Sequence, residues 1–188
     1  MSSQLSCPIK GVRLKSLFSH RDHRGSLTEV FRACWEDLRQ PVQWSVVHTT
    51  GNVVRGVHVH IHHVDYIVAV AGSLQLGLSD LREESPTYRI GCLMELNSDC
   101  LTAVEIPTGV AHGFYTPVPN VMFQGATEYY DAADDLGCYW ADPGLNIPWP
   151  DIADPTLSER DRQSGSLAEM IALRRRLIGN VKLQRRVA

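Results

Sequence analysis

Short segments of alternating apolar and polar residues, separated by turn residues, run through most of the chain. In the segment from Leu74 to Ser79, for example, Leu74, Leu76 and Leu78 share one face. Many short strands broken by glycine, proline, asparagine and aspartate are typical of an antiparallel sandwich or barrel. The chain is therefore predicted to be mainly β, with strands over residues 52–60, 66–71, 74–79, 89–96, 101–106 and 121–129.

Helices are predicted to be minor. A short helix is expected around residues 33–38, and a C-terminal helix from about 166 to 180 with a basic tail after it. Ser166 followed by Glu169 fits a capping box, and apolar residues at helical spacing follow. Because no internal repeat or linker interrupts the 188 residues, we expect residues 1–188 to form a single domain.

Charge and hydropathy exclude several classes of partner. The net charge is −3, which does not suggest the basic face that a nucleic-acid-binding domain needs. No apolar run approaches the roughly 20 residues that span a bilayer, and the N-terminus lacks the apolar stretch of a signal peptide. We therefore expect a cytoplasmic protein with neither a nucleic-acid nor a membrane partner.

Histidines are concentrated in the segment RGVHVHIHH, residues 55–63. Residues two apart in a strand share a face, so His58, His60 and His62 are expected to point to one side and the intervening apolar residues to the other. If that side faces the lumen of a barrel, three imidazoles must be solvated, hydrogen-bonded or bound to a ligand. This pattern favours a functional pocket.

A second segment, IPTGVAHGF at residues 106–114, supplies His112 after a tight turn. Together the two segments fit the two motifs of cupin barrels, in which a His-x-His pair, an acid and a later His converge inside the barrel. Here these residues are His58, His60, Asp65 and His112. The two segments are therefore similar to those of the cupin barrels. Such a set of ligands could also hold a divalent transition metal such as Fe, Mn, Ni or Zn.

Almost the whole chain, from about residue 12 to about 161, resembles the dTDP-4-dehydrorhamnose 3,5-epimerases, a family of cupins. The segments that carry the resemblance are DHRGSLTEVFR (22–32), VVRGVH (53–58), GSLQLGLSDLREESPTY (72–88), IPTGVAHGFYT (106–116), ATEYYD (126–131), YWADPGLNIPWP (139–150) and LSERD (157–161). The resemblance implies a cupin-type jelly-roll barrel that forms a homodimer, with strand exchange near the N-terminus. It also implies an isomerase of deoxysugar biosynthesis that acts on a nucleotide-linked 4-keto-6-deoxy sugar and requires no cofactor.

The resemblance further implies a role for each matching residue. His58 would remove the proton beside the ketone, and Asp161 would orient the imidazole. Arginines would bind the pyrophosphate, and an aromatic pair would stack on the nucleobase. The implied substrate-binding residues are Arg24, Glu29, Gln43, Arg55, His112, Gln124, Tyr129 and Tyr130.

Two positions depart from the family pattern. Gln124 stands where the family has a proton-returning Tyr, and Asp65 stands where it has a Lys that stabilises the enolate. Three hypotheses follow. The chain is a 3- or 5-epimerase, or a metal-dependent cupin with a changed reaction (isomerase, dehydratase or oxygenase), or a non-catalytic homologue. In the second, His58, His60, Asp65 and His112 hold the metal, and His62, His63 or a metal-bound water replaces His58 as the base.

Overall fold

The computed structural model describes residues 5–187, with side chains described for residues 5–179. Within this range, the chain forms short strands followed by C-terminal helices. The strands are β1 (Arg13–Ser16), β2 (Ser19–Asp22), β3 (Gly25–Thr28), β4 (Gln43–Thr49), β5 (Val53–Val59), β6 (Asp65–Ala71), β7 (Ser73–Asp80), β8 (Gly91–Asn97), β9 (Thr102–Ile106), β10 (Val110–Thr116), β11 (Asn120–Ala126) and β12 (Leu136–Gly137). The helices are a 3₁₀ turn (Pro143–Leu145), α1 (Glu159–Arg162) and α2 (Leu167–Val187).

Two five-stranded antiparallel sheets make up the body of the fold. One has the order β1-β9-β6-β11-β4 and the other the order β12-β5-β10-β7-β8, while β2 and β3 form a separate hairpin. Neighbours along the chain repeatedly lie in different sheets, which is the crossing pattern of a jelly roll. The predicted cupin-type jelly-roll barrel is confirmed.

The space between the sheets is filled at one end and open at the other. Ile67 and Met122 from the first sheet pack against Leu76 and Leu78 from the second, and all four are fully buried. These are the inward positions of the period-two pattern, so the alternation in the sequence marks the core correctly. Toward the other end, polar side chains replace the apolar ones and a cavity remains.

The outer face of the second sheet is covered by the C-terminal part of the chain. Val57 and Val59 point away from the lumen and pack in one cluster with Leu167 and Met170 of α2. The predicted capping box begins this helix. Glu169 Oε2 accepts the backbone N–H of Ser166 at 2.7 Å, and Ser166 Oγ accepts that of Glu169 at 3.3 Å. The helix continues past the expected end near residue 180, as far as Val187.

The prediction of a helix at residues 33–38 is wrong. This segment forms two turns, with the N–H of Leu38 donating to the carbonyl of Trp35 at 3.4 Å. The reason lies in tertiary packing, because Leu38 is buried against Tyr66 and Val68 on the outer face of the first sheet. The strand predicted to reach residue 129 also ends early, at Ala126. None of the described helices is long and apolar enough to cross a membrane.

Candidate active site

A cavity of about 320 Å³ opens between the two sheets. Strands of both sheets contribute to its wall, together with the loop before β12 and the start of α1. Most of the predicted site residues line it: Gln43, Arg55, His58, His60, Asp65, His112, Gln124, Tyr130 and Asp161. The cavity therefore coincides with the site that the sequence indicates.

An irregularity in β5 aims both Arg55 and His58 into this cavity. In a regular strand, residues three apart face opposite sides. Here His58 is opposite His112 in β10, whereas Arg55 is opposite Phe114, so β5 has one residue more than its partner. Gly56 takes up the distortion with φ +92°, and a Cβ there would meet the carbonyl oxygen of His112 at 3.0 Å. This is the geometry of a β-bulge, which re-aims a side chain.

His58 and Asp161 are in contact although 103 residues separate them. The Nε2 atom of His58 lies 2.8 Å from Oδ1 of Asp161. Burial alone would raise the pKa of Asp161, but the hydrogen bond and charge of His58 hold it below its ordinary value. An ionised carboxylate only accepts hydrogen bonds, so Nε2 of His58 carries the hydrogen. In the neutral ring, the Nδ1 atom then has the lone pair.

Local structure holds Asp161 in this position. Residues before α1 run beside β5, where the backbone carbonyl of Thr156 accepts a hydrogen bond from the N–H of Val54 at 3.1 Å. Ser158 then caps α1, with its hydroxyl accepting the N–H of Asp161 at 3.0 Å. The carboxylate of Asp161 is thus fixed at a helix N-terminus, where a negative charge is favoured.

The strand does not continue through the histidine-rich segment as predicted. β5 ends at Val59, and the carboxylate of Asp134 accepts the N–H groups of Ile61 at 2.6 Å and His62 at 3.1 Å. This turn exposes the side chain of His62, so the prediction that it shares a face with His58 and His60 is wrong. His63 enters the cavity in its place.

His60, His63 and His112 surround the carboxylate of Asp65. Their Nε2 atoms lie 3.2, 3.7 and 3.3 Å from Oδ2 of Asp65, and all four residues are buried. The other carboxylate oxygen of Asp65 accepts a hydrogen bond from Gln124 at 3.2 Å. The ligand atoms of His60, Asp65 and His112 are close enough together to hold one metal ion, as are those of His60, His63 and Asp134. Neither group includes His58.

Burial and charge act differently on the three rings. Burial lowers the pKa of His60 to about 4, with a further contribution from His112. It also lowers the pKa of His112. For His63, burial opposes protonation, but the hydrogen bond to Asp134 and the nearby carboxylates raise its pKa above the ordinary value. The cluster is therefore not uniform, and His63 has the strongest tendency to carry a proton.

Asp135 and Arg160 also belong to the cavity wall, although the sequence analysis did not identify them. Oδ1 of Asp135 lies 3.4 Å from Nδ1 of His58, and its other oxygen is paired with Arg160. Burial raises the pKa of Asp135, but the hydrogen bond from Arg160 brings it below its ordinary value. The two adjacent acids Asp134 and Asp135 were the available signal, although they lie at a turn and not in a strand.

Three predicted binding residues lie outside the cavity in the single chain. Arg24 sits in the β2–β3 hairpin and forms a surface pair with Asp22. Glu29 pairs with Arg32 on the surface, and Tyr129 is 75% exposed. Tyr130, the other member of the aromatic pair, does line the cavity. Its backbone N–H donates to Oε1 of Gln43 at 3.0 Å.

Comparison with known proteins agrees with this fold and gives its family. The family described as dTDP-4-dehydrorhamnose 3,5-epimerase matches residues 6–169. The dTDP-4-dehydrorhamnose 3,5-epimerase of Sinorhizobium fredii is 31% identical over 174 residues, which cover 88% of this chain and 89% of that protein.

Two solved structures extend the likeness to three dimensions. A double mutant of ChmJ, a 3'-monoepimerase from Streptomyces bikiniensis, in complex with dTDP, aligns with a TM-score of 0.80 and 28% identity over 90% of each chain. The epimerase RmlC from Legionella pneumophila, in complex with dTDP-4-keto-L-rhamnose, aligns with a TM-score of 0.80 and 25% identity. That alignment covers 88% of this chain and 95% of the other.

Fold and site together define a cupin-type barrel whose cavity holds a histidine paired with a buried carboxylate. The chain belongs to the dTDP-4-dehydrorhamnose 3,5-epimerase family.

Proposed function

We propose that this protein is an epimerase of deoxysugar biosynthesis that acts on a nucleotide-linked 4-keto-6-deoxy sugar. The observation that carries this proposal is the 2.8 Å contact between His58 Nε2 and Asp161 Oδ1 in the cavity wall. With Nε2–H committed to the carboxylate, Nδ1 of His58 can take up the acidic proton beside the ketone. Asp161 keeps the ring in this tautomer and stabilises the imidazolium that forms.

The substrate class is supported by the complexes of the relatives and by the side chains of this cavity. ChmJ binds dTDP, and the Legionella enzyme binds dTDP-4-keto-L-rhamnose. In this chain, Arg55 is held by a hydrogen bond from Nε to Thr49 Oγ1 at 3.1 Å, so its guanidinium is pre-oriented for an anion. Tyr130 lies at the same cavity with 62% of its surface exposed, and could stack on a base.

The proposed reaction inverts one carbon, C3 or C5. Gln124 occupies the position of the proton-returning Tyr, and its amide cannot donate a proton near neutral pH. In addition, the amide is engaged with Asp65. Proton return must then come from water or from another group of the cavity. Such an arrangement favours a single epimerisation over inversion at both carbons.

A second copy of the chain is proposed to complete the site. Phe18 and Leu27, at the β2–β3 hairpin, are 74% and 63% exposed, and Val46 on the edge strand β4 is 53% exposed. Apolar side chains beside an open sheet edge favour burial against a partner. A homodimer with exchanged N-terminal strands would bury them, and would bring Arg24 and Glu29 to the partner's cavity.

Solvent exchange tests the proposed function. The protein is incubated in D₂O with dTDP-4-keto-6-deoxyglucose, and the sugar is followed by proton NMR. We expect deuterium at C3 or C5 and formation of one epimer. dTDP-glucose, which lacks the ketone, serves as the control and should not exchange. Failure of both carbons to exchange in the 4-keto sugar would overturn the proposal.

The two alternative functions are less well supported. The relatives described above are epimerases, which favours an epimerase over a changed reaction. A non-catalytic homologue has no need of a histidine held by a buried carboxylate. The cytoplasmic location stays a prediction.

A further inference from the structure

Hydrogen bonding fixes the tautomers of the imidazoles around Asp65. Nδ1 of His60 lies 3.2 Å from the carbonyl oxygen of Asp134, and Nδ1 of His112 lies 3.2 Å from that of Val110. A carbonyl oxygen can only accept, so each Nδ1 carries the hydrogen. In the neutral rings, both Nε2 atoms are then lone-pair acceptors.

These two Nε2 atoms face a further hydrogen-bond acceptor, the carboxylate of Asp65. The Nε2 atoms of His60 and His112 are 3.2 and 3.3 Å from Oδ2 of Asp65, in a buried place. His63 repeats the arrangement, with Nδ1 donating to Asp134 Oδ2 at 2.8 Å and Nε2 at 3.7 Å from Asp65 Oδ2. Buried acceptors that converge in this way need a cation between them, either a proton or a metal ion.

The distances suit a metal ion. Two ligand atoms that are each about 2.0–2.1 Å from a shared ion at a tetrahedral angle lie about 3.4 Å apart. The separations of 3.2 and 3.3 Å from Oδ2 to the Nε2 atoms of His60 and His112 are close to this value, and the ligand atoms of these three residues all lie within 4.8 Å of one another. The Nδ1 hydrogen bonds to carbonyl and carboxylate oxygens are the interactions that usually orient metal-binding histidines.

We propose that His60, Asp65 and His112 bind one divalent first-row transition metal ion, with His58 left free as the base. Two imidazoles and one carboxylate suit Zn, Fe, Co or Ni better than Mg or Ca. This set replaces the predicted one of His58, His60, Asp65 and His112, because His58 is engaged with Asp161. His63 stacks on the ring of His60, with centroids 3.9 Å apart, and donates to Asp134.

The position of the proposed metal site indicates what a bound ion would do in the reaction. This part of the inference rests on the proposed function. His112 is directly opposite His58 in the ladder between β10 and β5, so the cluster adjoins the proposed base. The family's enolate-stabilising Lys falls on Asp65, a residue of the wrong charge for that role. A bound metal ion would restore positive charge beside the ketone oxygen, where an enolate develops.

Metal binding is measured directly, without reference to turnover. The full-length protein is treated with chelator, dialysed against Zn²⁺, and analysed for metal per chain, and Co²⁺ is then used as a spectroscopic probe. We expect one ion per chain and Co²⁺ bands of nitrogen and oxygen ligation. His60→Asn and His112→Asn should each weaken binding at least ~100-fold. His58→Asn should still bind one ion, as should the control His62→Asn, which changes an exposed ring.

Several results would overturn the proposal. Folded wild-type protein that takes up no stoichiometric Zn²⁺ would mean that a proton alone satisfies Asp65, and this result requires no variant to fold. Thiolate charge-transfer bands in the Co²⁺ spectrum would place the ion on cysteines. Loss of binding in His58→Asn would select the cupin-motif set, which includes His58, instead. Deuterium exchange is read separately, so the epimerase can stand even if the metal centre does not.

Discussion

Oδ2 of Asp134 accepts a hydrogen bond from Nδ1 of His63 at 2.8 Å, although 71 residues separate them. The same carboxylate accepts the backbone N–H groups of Ile61 and His62 and is almost fully buried. This single side chain therefore ends β5 and turns His63 into the cavity. Charge-assisted hydrogen bonds of this kind are stronger than neutral ones, so the turn depends on the ionised form of Asp134.

We expect Asp134→Ala to destabilise the fold by about 2–4 kcal/mol, because it leaves the buried Nδ1–H of His63 and the half-buried N–H groups of the turn without an acceptor. The measurement is the free energy of unfolding in urea. Asp131→Ala is the matched control, since Asp131 is exposed and caps only a surface turn. Equal stability of the two variants would contradict the role assigned to Asp134.

Gln124→Tyr is expected to raise the ratio of epimerised product to simple deuterium exchange. The phenol would supply the acid that this chain lacks on the wall opposite His58. Gln124→Phe, which adds the ring without the hydroxyl, is the control and should not raise the ratio. The two rates are read from the same NMR time course. An equal effect of both substitutions would show that shape, and not the acid, controls inversion.

Mixing two inactive variants tests whether Arg24 acts in the partner's cavity. Arg24→Ala and His58→Asn should each be inactive alone, since one lacks a phosphate contact and the other the base. Co-expressed chains would form mixed dimers in which one cavity has both residues intact. Roughly a quarter of wild-type activity should return if partners pair at random. Absence of any recovery, with mixed dimers verified by mass, would contradict the strand exchange.

Asp80 is expected to make stability depend on pH in the acid range. Burial alone would raise its pKa, but hydrogen bonds from Arg82, Ser85 and Thr87 lower it to about 2. A folded-state pKa below the unfolded value near 3.8 stabilises the fold at higher pH, and this contribution is lost as the pH falls toward 2. It amounts to about 2 kcal/mol at pH 7.

The measurement compares the free energies of unfolding of wild type and Asp80→Asn. The advantage of the wild type should shrink by about 1 kcal/mol between pH 7 and pH 3. A difference that stays constant over this range would contradict the lowered pKa.

Much of the fold followed from the sequence because its period-two pattern records the two sides of each strand. The core positions Leu74, Leu76 and Leu78 were evident in this way. The closeness of His58 and Asp161 followed only from the family resemblance, since no local pattern links residues 103 positions apart.

The remaining differences arise from contacts that are distant in sequence. Asp134, in a loop much later in the chain, accepts the N–H of His62 and so ends β5. Because Asp134 also binds the ring of His63, His63 lies in the cavity where His62 was predicted. Packing of Leu38 against the first sheet replaces a predicted helix by turns. The bulge at Gly56 depends on the register with β10, which the sequence of β5 alone does not contain.

The most direct test of the account is deuterium exchange in three matched variants: His58→Asn, Asp161→Asn and the control His62→Asn. We predict that His58→Asn abolishes exchange beside the ketone and that Asp161→Asn slows it by about 10²- to 10⁴-fold. His62→Asn should exchange at the wild-type rate. Persistent exchange in folded His58→Asn protein would contradict the assignment of His58 as the base.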